Sequence, residues 1–347
     1  MNRLYPMLFE PNLHEVVWGG NRLKPFKGLE PDNSPVGESW EVSAVPSSVS
    51  VVSNGCWAGR SLVDVIDMMP KEILGESVAA EHANKLPLLV KFIDAEKDLS
   101  IQVHPNDEMA KRLHGKMGKS EMWYVIDAKP GSFLYAGFKE RISPYEYKKR
   151  VDDGSVTEVL AKHEVKAGDV FYLPAGRVHA ICGGILLAEV QQSSDVTYRI
   201  YDYNRPGIDG KPRELHTELA AEALDFNVED EYRTHYSSLE NKSNRVIESP
   251  YFSVRVTELE SAFHRNLLKY DSFIISMCIS GDCKIKVRST GDEVVLKEGW
   301  SVLIPAAVAD YDVVPLNGKS RVLDAFIDKK DRSLGACITR FLHITSR

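Results

Sequence analysis

In the run Leu99–His104, Ser100, Gln102 and His104 alternate with Leu99, Ile101 and Val103. Successive side chains of an extended strand point to opposite faces, so a hydroxyl, an amide and an imidazole line up on one side of an otherwise apolar segment. Such a face either meets solvent or lines a site. Glu121 heads a second apolar run, Glu121-Met-Trp-Tyr-Val-Ile, on the side shared with Trp123 and Val125. A third run, beginning at Asp169, passes through a Pro174/Gly176 turn to His179. Taken singly, a carboxylate at a strand head is a rim group and an isolated histidine is structural. Taken together, Gln102, His104, Glu121 and His179 form a four-ligand set for a borderline divalent ion such as zinc, with water or substrate completing the shell.

The elements that must carry these residues are short. Most of the 347 residues alternate brief apolar runs with Gly, Pro, Asn and Asp, the pattern of an all-β sandwich or barrel. A few helices interrupt it. Ser61/Asp64 and Ser143/Glu146 pair a hydroxyl cap with a carboxylate three residues on, and Pro144 suits a first helical position. Asn106–Leu113, closed by Gly115, predicts a third helix, and Thr217–Leu224 a fourth. The polar stretch Val228–Asn244 reads as a linker. Beyond it, Phe252–Leu259, Phe273–Ile279, Cys283–Arg288 and Val302–Pro305 read as strands of a second β unit. The spacing Gly168, Pro174, Gly176, His179 is echoed by Gly299, Pro305, Ala307, Asp310, so a repeat would keep a ligand in one copy and lose it in the other.

Composition bounds the partners. A formal charge of −7 gives no reason to expect nucleic acid or an anionic membrane. The cysteines Cys56, Cys182, Cys278, Cys283 and Cys337 contain no Cys-x-x-Cys pair and suggest neither a disulfide framework nor a thiolate metal site. No basic leader followed by an apolar run opens the chain, and no segment reaches about 18 uninterrupted apolar residues. A soluble protein of the reducing cytoplasm, with no obligate protein partner, is expected.

Gly168, Pro174, Gly176 and His179 match the second cupin motif in spacing, and Gln102-Val-His104 with Glu121 resembles a modified first motif. The arrangement Ser100-Ile-Gln102-Val-His104-Pro105, then Lys119-Ser-Glu121-Met-Trp-Tyr, resembles the type I mannose-6-phosphate isomerases in their short bacterial form. Gly37-Glu38-Ser-Trp40-Glu-Val-Ser43, Leu88-Leu-Val-Lys91-Phe-Ile and Ser194-Asp195-Val-Thr-Tyr-Arg199-Ile-Tyr-Asp202 carry the likeness along the chain. One departure stands out: the cupin motif usually has asparagine four residues after its histidine, where this chain has Gly183.

The resemblance implies a mostly β chain of two cupin-like, jelly-roll β-barrel units. The expected division is a catalytic domain over 1–235, with short helices inserted, and a metal-free, structural domain over 236–347. It implies a zinc-dependent aldose–ketose isomerase, with one zinc ion per chain and a small sugar phosphate as substrate. Gln102, His104, Glu121 and His179 would be the ligands, Arg199 catalytic, and Lys119, Asp195, Ser100 and Lys91 pocket residues. Moving a carbonyl between adjacent carbons needs a base and a means of holding enediolate charge, which zinc and the permanently charged Arg199 would share. Lys119, Asp195 or a water on the metal could be the base; Lys119 could act only in its neutral form. Lys91, Lys119, Arg199 and Arg205 would offset the phosphate charge, with Ser100 as a hydroxyl donor. Glu38 and Trp40 are read as lying on opposite faces, with Trp40 in the core. A cupin metalloenzyme acting on another sugar phosphate, or a sugar-phosphate-binding regulator, are the alternatives.

Overall fold

The computed structural model describes residues 4–328. Contacts group the described residues of Pro11–Trp40 and Leu89–Thr234 into one unit, and those of Met1–Glu10, Glu41–Leu88 and His235–Arg347 into another. On the linker side the division falls between Thr234 and His235, while residues 41–88 join the unit containing the C-terminal strands. Strand pairing explains part of this: Met7–Leu8 pairs antiparallel with Ser301–Ile304, and the Phe273 amide donates to the Leu74 carbonyl. Every site candidate named above lies in the first of these units.

That unit consists of two antiparallel sheets. The larger runs, in spatial order, Leu13–Gly20, Val36–Val42, Leu88–Ala95, Ile185–Gln192, Glu121–Ala128, Val170–Leu173. The smaller runs Tyr198–Tyr201, Ile101–Val103, His179–Ile181, Phe133–Phe138, Leu160–Glu164. Strand alternation sends Trp123, Val125, Phe171 and Leu187 of the larger sheet and Leu134, Ala136 and Ile181 of the smaller into one apolar layer. The smaller sheet's other face, with Ile101, Val103, Ala180, Tyr198 and Ile200, packs in a second cluster with Met109, Tyr147 and Ala220. Those three residues belong to the helices Asp107–His114, Pro144–Asp152 and Thr217–Ala223, so helices cover that face. The caps act as expected: Ser143 Oγ accepts from the Glu146 amide, Asn106 Oδ1 from Met109, and Gly115 closes its helix at φ +64°. Among the described residues no helix is long and apolar enough to cross a membrane.

The expected linker is only partly one. Tyr232 within it is buried, its hydroxyl donates to the Phe138 carbonyl at 2.9 Å, and its ring fills the space a Cβ on Gly137 would need. Gly183, in the asparagine position of the cupin motif, also reflects close approach, since a Cβ there would lie 2.8 Å from the Glu96 carbonyl oxygen.

The second unit has the same cupin-like form of paired antiparallel sheets, again without barrel closure. Six strands run Met7–Leu8, Ser301–Ile304, Ile274–Ser280, Ser320–Phe326, Ser253–Leu259, Ser243–Glu248, and four run Phe263–Asn266, Asp310–Pro315, Cys283–Val287, Glu293–Leu296. The sequence repeat is matched in the backbone. Gly168 N–H donates to Val125 and Val125 N–H to Asp169, as Gly299 N–H donates to Cys278 and Cys278 N–H to Trp300, all at 2.9 Å. The copies then part. A 3-10 turn at Ala306–Val308 leaves Asp310 half-buried against His264 (2.7 Å), and Tyr311 enters the core instead, opposite Arg265. Arg265 pairs with Asp324 at 2.5 Å and donates to Ser243 and Thr257, while Ser276 donates to Asp324 at 2.6 Å. An apolar core thus encloses an ion pair that is 3% and 0% exposed.

Removing one member of a buried pair strands the other charge. Arg265→Leu is expected to cost about 3–5 kcal/mol in denaturant unfolding, and adding Asp324→Leu to recover most of it. Equal losses in the single and double variants would refute this account.

Candidate metal centre and active site

The site arises from register. His179 lies opposite Gln102, and Gln102 lies opposite Arg199, across three adjacent strands of the smaller sheet. Directly opposed residues of antiparallel strands share a face, so these three side chains form one row, on the side away from Ile101, Val103 and Ala180. The strand there is only Ile101–Val103, shorter than the expected Leu99–His104, yet its polar side lines a site. Ser100 and His104 are 3% and 1% exposed. Glu121, at the head of its strand in the larger sheet, is fully buried.

Its carboxylate stands between the two imidazoles. Glu121 Oε2 is 3.3 Å from His104 Nε2, and Oε1 is 3.3 Å from His179 Nε2. Both rings are fixed from behind: His104 Nδ1 donates to the Val196 carbonyl at 3.0 Å, and His179 Nδ1 to the Arg177 carbonyl at 2.8 Å. Those bonds leave each Nε2 as a lone pair aimed at the carboxylate. Burial, followed by the charge of Lys119, lowers the His104 pKa to about 3, and burial also lowers that of His179. Burial pushes Glu121 up, but the charge of Lys119 leads the opposing influences that hold the carboxyl well below its usual range. Among the described residues, neither Glu121 oxygen nor His104 Nε2 meets the geometry of a hydrogen bond.

Acceptors facing acceptors in a dry interior repel unless a cation lies among them. The ligand atoms of His104, Glu121 and His179 all lie within 4.8 Å of one another, so this trio can hold a metal ion. Gln102 Nε2 is 3.3 Å from His179 Nε2; a half-turn of the amide brings its oxygen to the same centre. The donor set suits a divalent ion of borderline softness.

Charged groups surround this centre. Lys119, buried, places Nζ 3.2 Å from Glu121 Oε2. Lys91, also buried, lies 3.4 Å from Glu38 and 3.5 Å from Glu189. Burial would lower the Lys91 pKa, but these carboxylates raise it above the ordinary lysine value. Glu189 is itself raised, by burial and then by Glu121. Arg199 donates Nη1 to the Glu214 carbonyl at 2.8 Å, and its buried Nε meets no hydrogen-bond partner among the described residues. Nearby, Arg205 and Arg213 both grip Asp202, the latter at 2.6 and 2.7 Å. Asp195, by contrast, is about one-third exposed and paired with Lys116 at 2.5 Å.

Sequence reasoning passed over Glu189, although a charged residue inside the wholly buried strand Ile185–Gln192 is the same signal that marked Lys91. It also misplaced Trp40. Residues two apart in a strand share a face, and Trp40 Nε1 donates to Glu38 Oε2 at 2.6 Å. Trp40 is half-buried rather than core, and its ring lies against His14 and under the Lys91 ammonium.

Comparison with known proteins gives the arrangement its relatives. Residues 7–130 match the family model of the type I phosphomannose isomerase catalytic domain, and residues 241–323 that of the mannose-6-phosphate isomerase cupin domain. The chain is 35% identical over 317 residues to the probable mannose-6-phosphate isomerase GmuF of Bacillus subtilis, covering 89% of this chain and 96% of that protein. It is 33% identical to the mannose-6-phosphate isomerase of Streptococcus mutans, covering 88% and 94%. A crystal structure of mannose 6-phosphate isomerase from Bacillus subtilis superposes with a TM-score of 0.83 at 31% identity, covering 93% of this chain and 99% of that one.

A ligand that binds only the folded state stabilises it. For protein stripped with a chelator, a divalent cation at about a hundred times its dissociation constant is expected to add about 2.7 kcal/mol to unfolding. His104→Ala and His179→Ala should abolish the shift in denaturant midpoint; an undiminished shift in both would place the cation elsewhere.

Proposed function

The chain belongs to the type I phosphomannose isomerase family, and we propose that it interconverts mannose 6-phosphate and fructose 6-phosphate, with zinc, through a cis-enediolate. The observation that carries this reading is the buried convergence of His104, Glu121 and His179 beside Lys119, with Arg199 in the same cross-strand row. Gln102, His104, Glu121 and His179 would hold one zinc ion, which when bound supplies Lewis acidity to the sugar's carbonyl and adjacent hydroxyl oxygens.

The remaining work belongs to side chains. Lys119, entering the step neutral, takes the proton from the carbon beside the carbonyl and returns it to the neighbouring carbon, while the hydroxyl proton passes to the former carbonyl oxygen. Its support over Asp195 is position: Lys119 is buried against Glu121, whereas Asp195 is partly solvated and occupied by Lys116. Both carbons of the transfer lie on one sugar backbone, so a single amine can serve them in turn. Arg199 offsets the negative charge that grows on the enediolate oxygens; its buried Nε has no hydrogen-bond partner among the described residues. Arg205 and Arg213 converge on buried Asp202 beside Arg199, a cluster of guanidinium groups suited to the phosphate. Ser100 adds a hydroxyl on the ligand face. The role of the domain over 236–347 is structural in this reading, its interior being taken by the Arg265–Asp324 pair.

Three measurements test the proposal. Zinc-loaded protein should convert mannose 6-phosphate in a coupled assay, and elemental analysis should find about one zinc per chain. Lys119→Met is expected to lose about 10²–10⁴ in kcat and to stop washing solvent deuterium into the substrate, while Asp195→Asn keeps both. Exchange at wild-type rate in Lys119→Met would remove it as the base. Arg199→Gln should cost about 10²–10³ in kcat, the scale of a lost charge-stabilising donor.

A further inference from the structure

Lys91 is held as a fixed charge rather than a mobile one. Its ammonium sits 4.6 Å from the centre of the Trp40 ring and between Glu38 and Glu189. Each of these carboxylates is in turn pinned by an indole N–H: Trp40 Nε1 donates to Glu38 at 2.6 Å, and Trp123 Nε1 to Glu189 at 2.9 Å. Trp123 also meets the His179 ring edge to face at 5.3 Å, so the arrangement is continuous with the metal centre. Trp40 is the member that touches both Glu38 and Lys91, and it is half-buried, so core packing alone does not account for it.

The charges in this row are one ammonium against two carboxylates. A phosphate dianion brought there would meet no surplus of positive charge, and near-contact repulsion in a poorly solvated wall is severe. Alternating donors and acceptors fixed beside an aromatic face suit uncharged hydroxyl groups instead. The guanidinium groups suited to a phosphate are those of Arg199, Arg205 and Arg213.

We propose that Trp40 is a positioning residue: it fixes Glu38 through its indole N–H and Lys91 through its ring face, so that this row binds the uncharged hydroxyls of the sugar and takes no part in binding the phosphate. This rests on the reading that the chain isomerises mannose 6-phosphate. Contacts made equally in substrate and transition state raise KM without changing kcat when lost.

Steady-state kinetics and calorimetric titration with inorganic phosphate, on zinc-loaded full-length protein, test the assignment. Trp40→Leu is expected to raise KM for mannose 6-phosphate about tenfold with kcat within about twofold, and Trp40→Phe, which keeps a ring face, to recover part of that loss. Inorganic phosphate affinity should stay within about twofold of wild type in Trp40→Leu and Lys91→Met. An unchanged KM in Trp40→Leu, a Trp40→Phe as impaired as Trp40→Leu, or an inorganic phosphate affinity weakened about tenfold in Lys91→Met would each overturn the proposal. Should Trp40→Leu fail to fold, Glu38→Gln reads the same row, with a KM rise supporting it and an unchanged KM refuting it. If the wild type does not turn over mannose 6-phosphate, the functional reading fails, while the phosphate titrations still decide whether Lys91 is a phosphate ligand.

Discussion

Two imidazole lone pairs and a carboxylate are aimed at one another in a buried setting, and the surrounding structure follows from keeping them so. Left to relax, His104 and His179 would turn toward donors. The Val196 and Arg177 carbonyls prevent this by taking the opposite ring nitrogens. Both carbonyls belong to the short stretches leading into strands, Arg177 two residues before His179–Ile181 and Val196 two before Tyr198–Tyr201, so the backbone supplies the restraint on the rings. Glu121 likewise has no freedom to reach solvent from the head of a buried strand.

Around that centre the charges are sorted. Lys91 lies among carboxylates and indoles, Lys119 leans on the Glu121 carboxylate, and Arg199 stands with Arg205 and Arg213, which share Asp202. A substrate carrying a dianion at one end and hydroxyls at the other can be oriented by such a gradient before any specific contact forms. The net charge of −7 conceals this, because the balance that matters is local.

The two β units show what the same backbone scheme does with and without a buried His–Glu–His cluster. The Gly168 and Gly299 turns make corresponding hydrogen bonds, so the repeat is one of main-chain geometry. A 3-10 turn before Asp310 changes which residue enters the core, and with it the chemistry of the interior. Where the first unit gathers lone pairs suited to a cation, the second encloses its own cation, Arg265, opposite Asp324. Both interiors satisfy the same electrostatic requirement, that buried charge be met by opposite charge.

Much of this protein could be read directly from its amino-acid order. Alternation identified the short strands and hydroxyl caps located the helices, because these signals depend only on local periodicity and residue chemistry; Gln102, His104, Glu121 and His179 are expected to converge as a ligand set, and the structure gathers the ligand atoms of His104, Glu121 and His179 within 4.8 Å of one another. What needed the tertiary structure was whatever depends on which strands become neighbours. Register put Arg199 beside Gln102; packing set Glu189 against Lys91 and turned Trp40 from presumed core into a support for both Glu38 and Lys91. Chain order ranks Lys119 and Asp195 as near equals; their surroundings differ, Lys119 buried against Glu121 and Asp195 partly exposed beside Lys116. Spacing along a chain fixes the face on which a side chain lies, but only the folding of distant segments against that face decides whether it meets water, a partner or another charge.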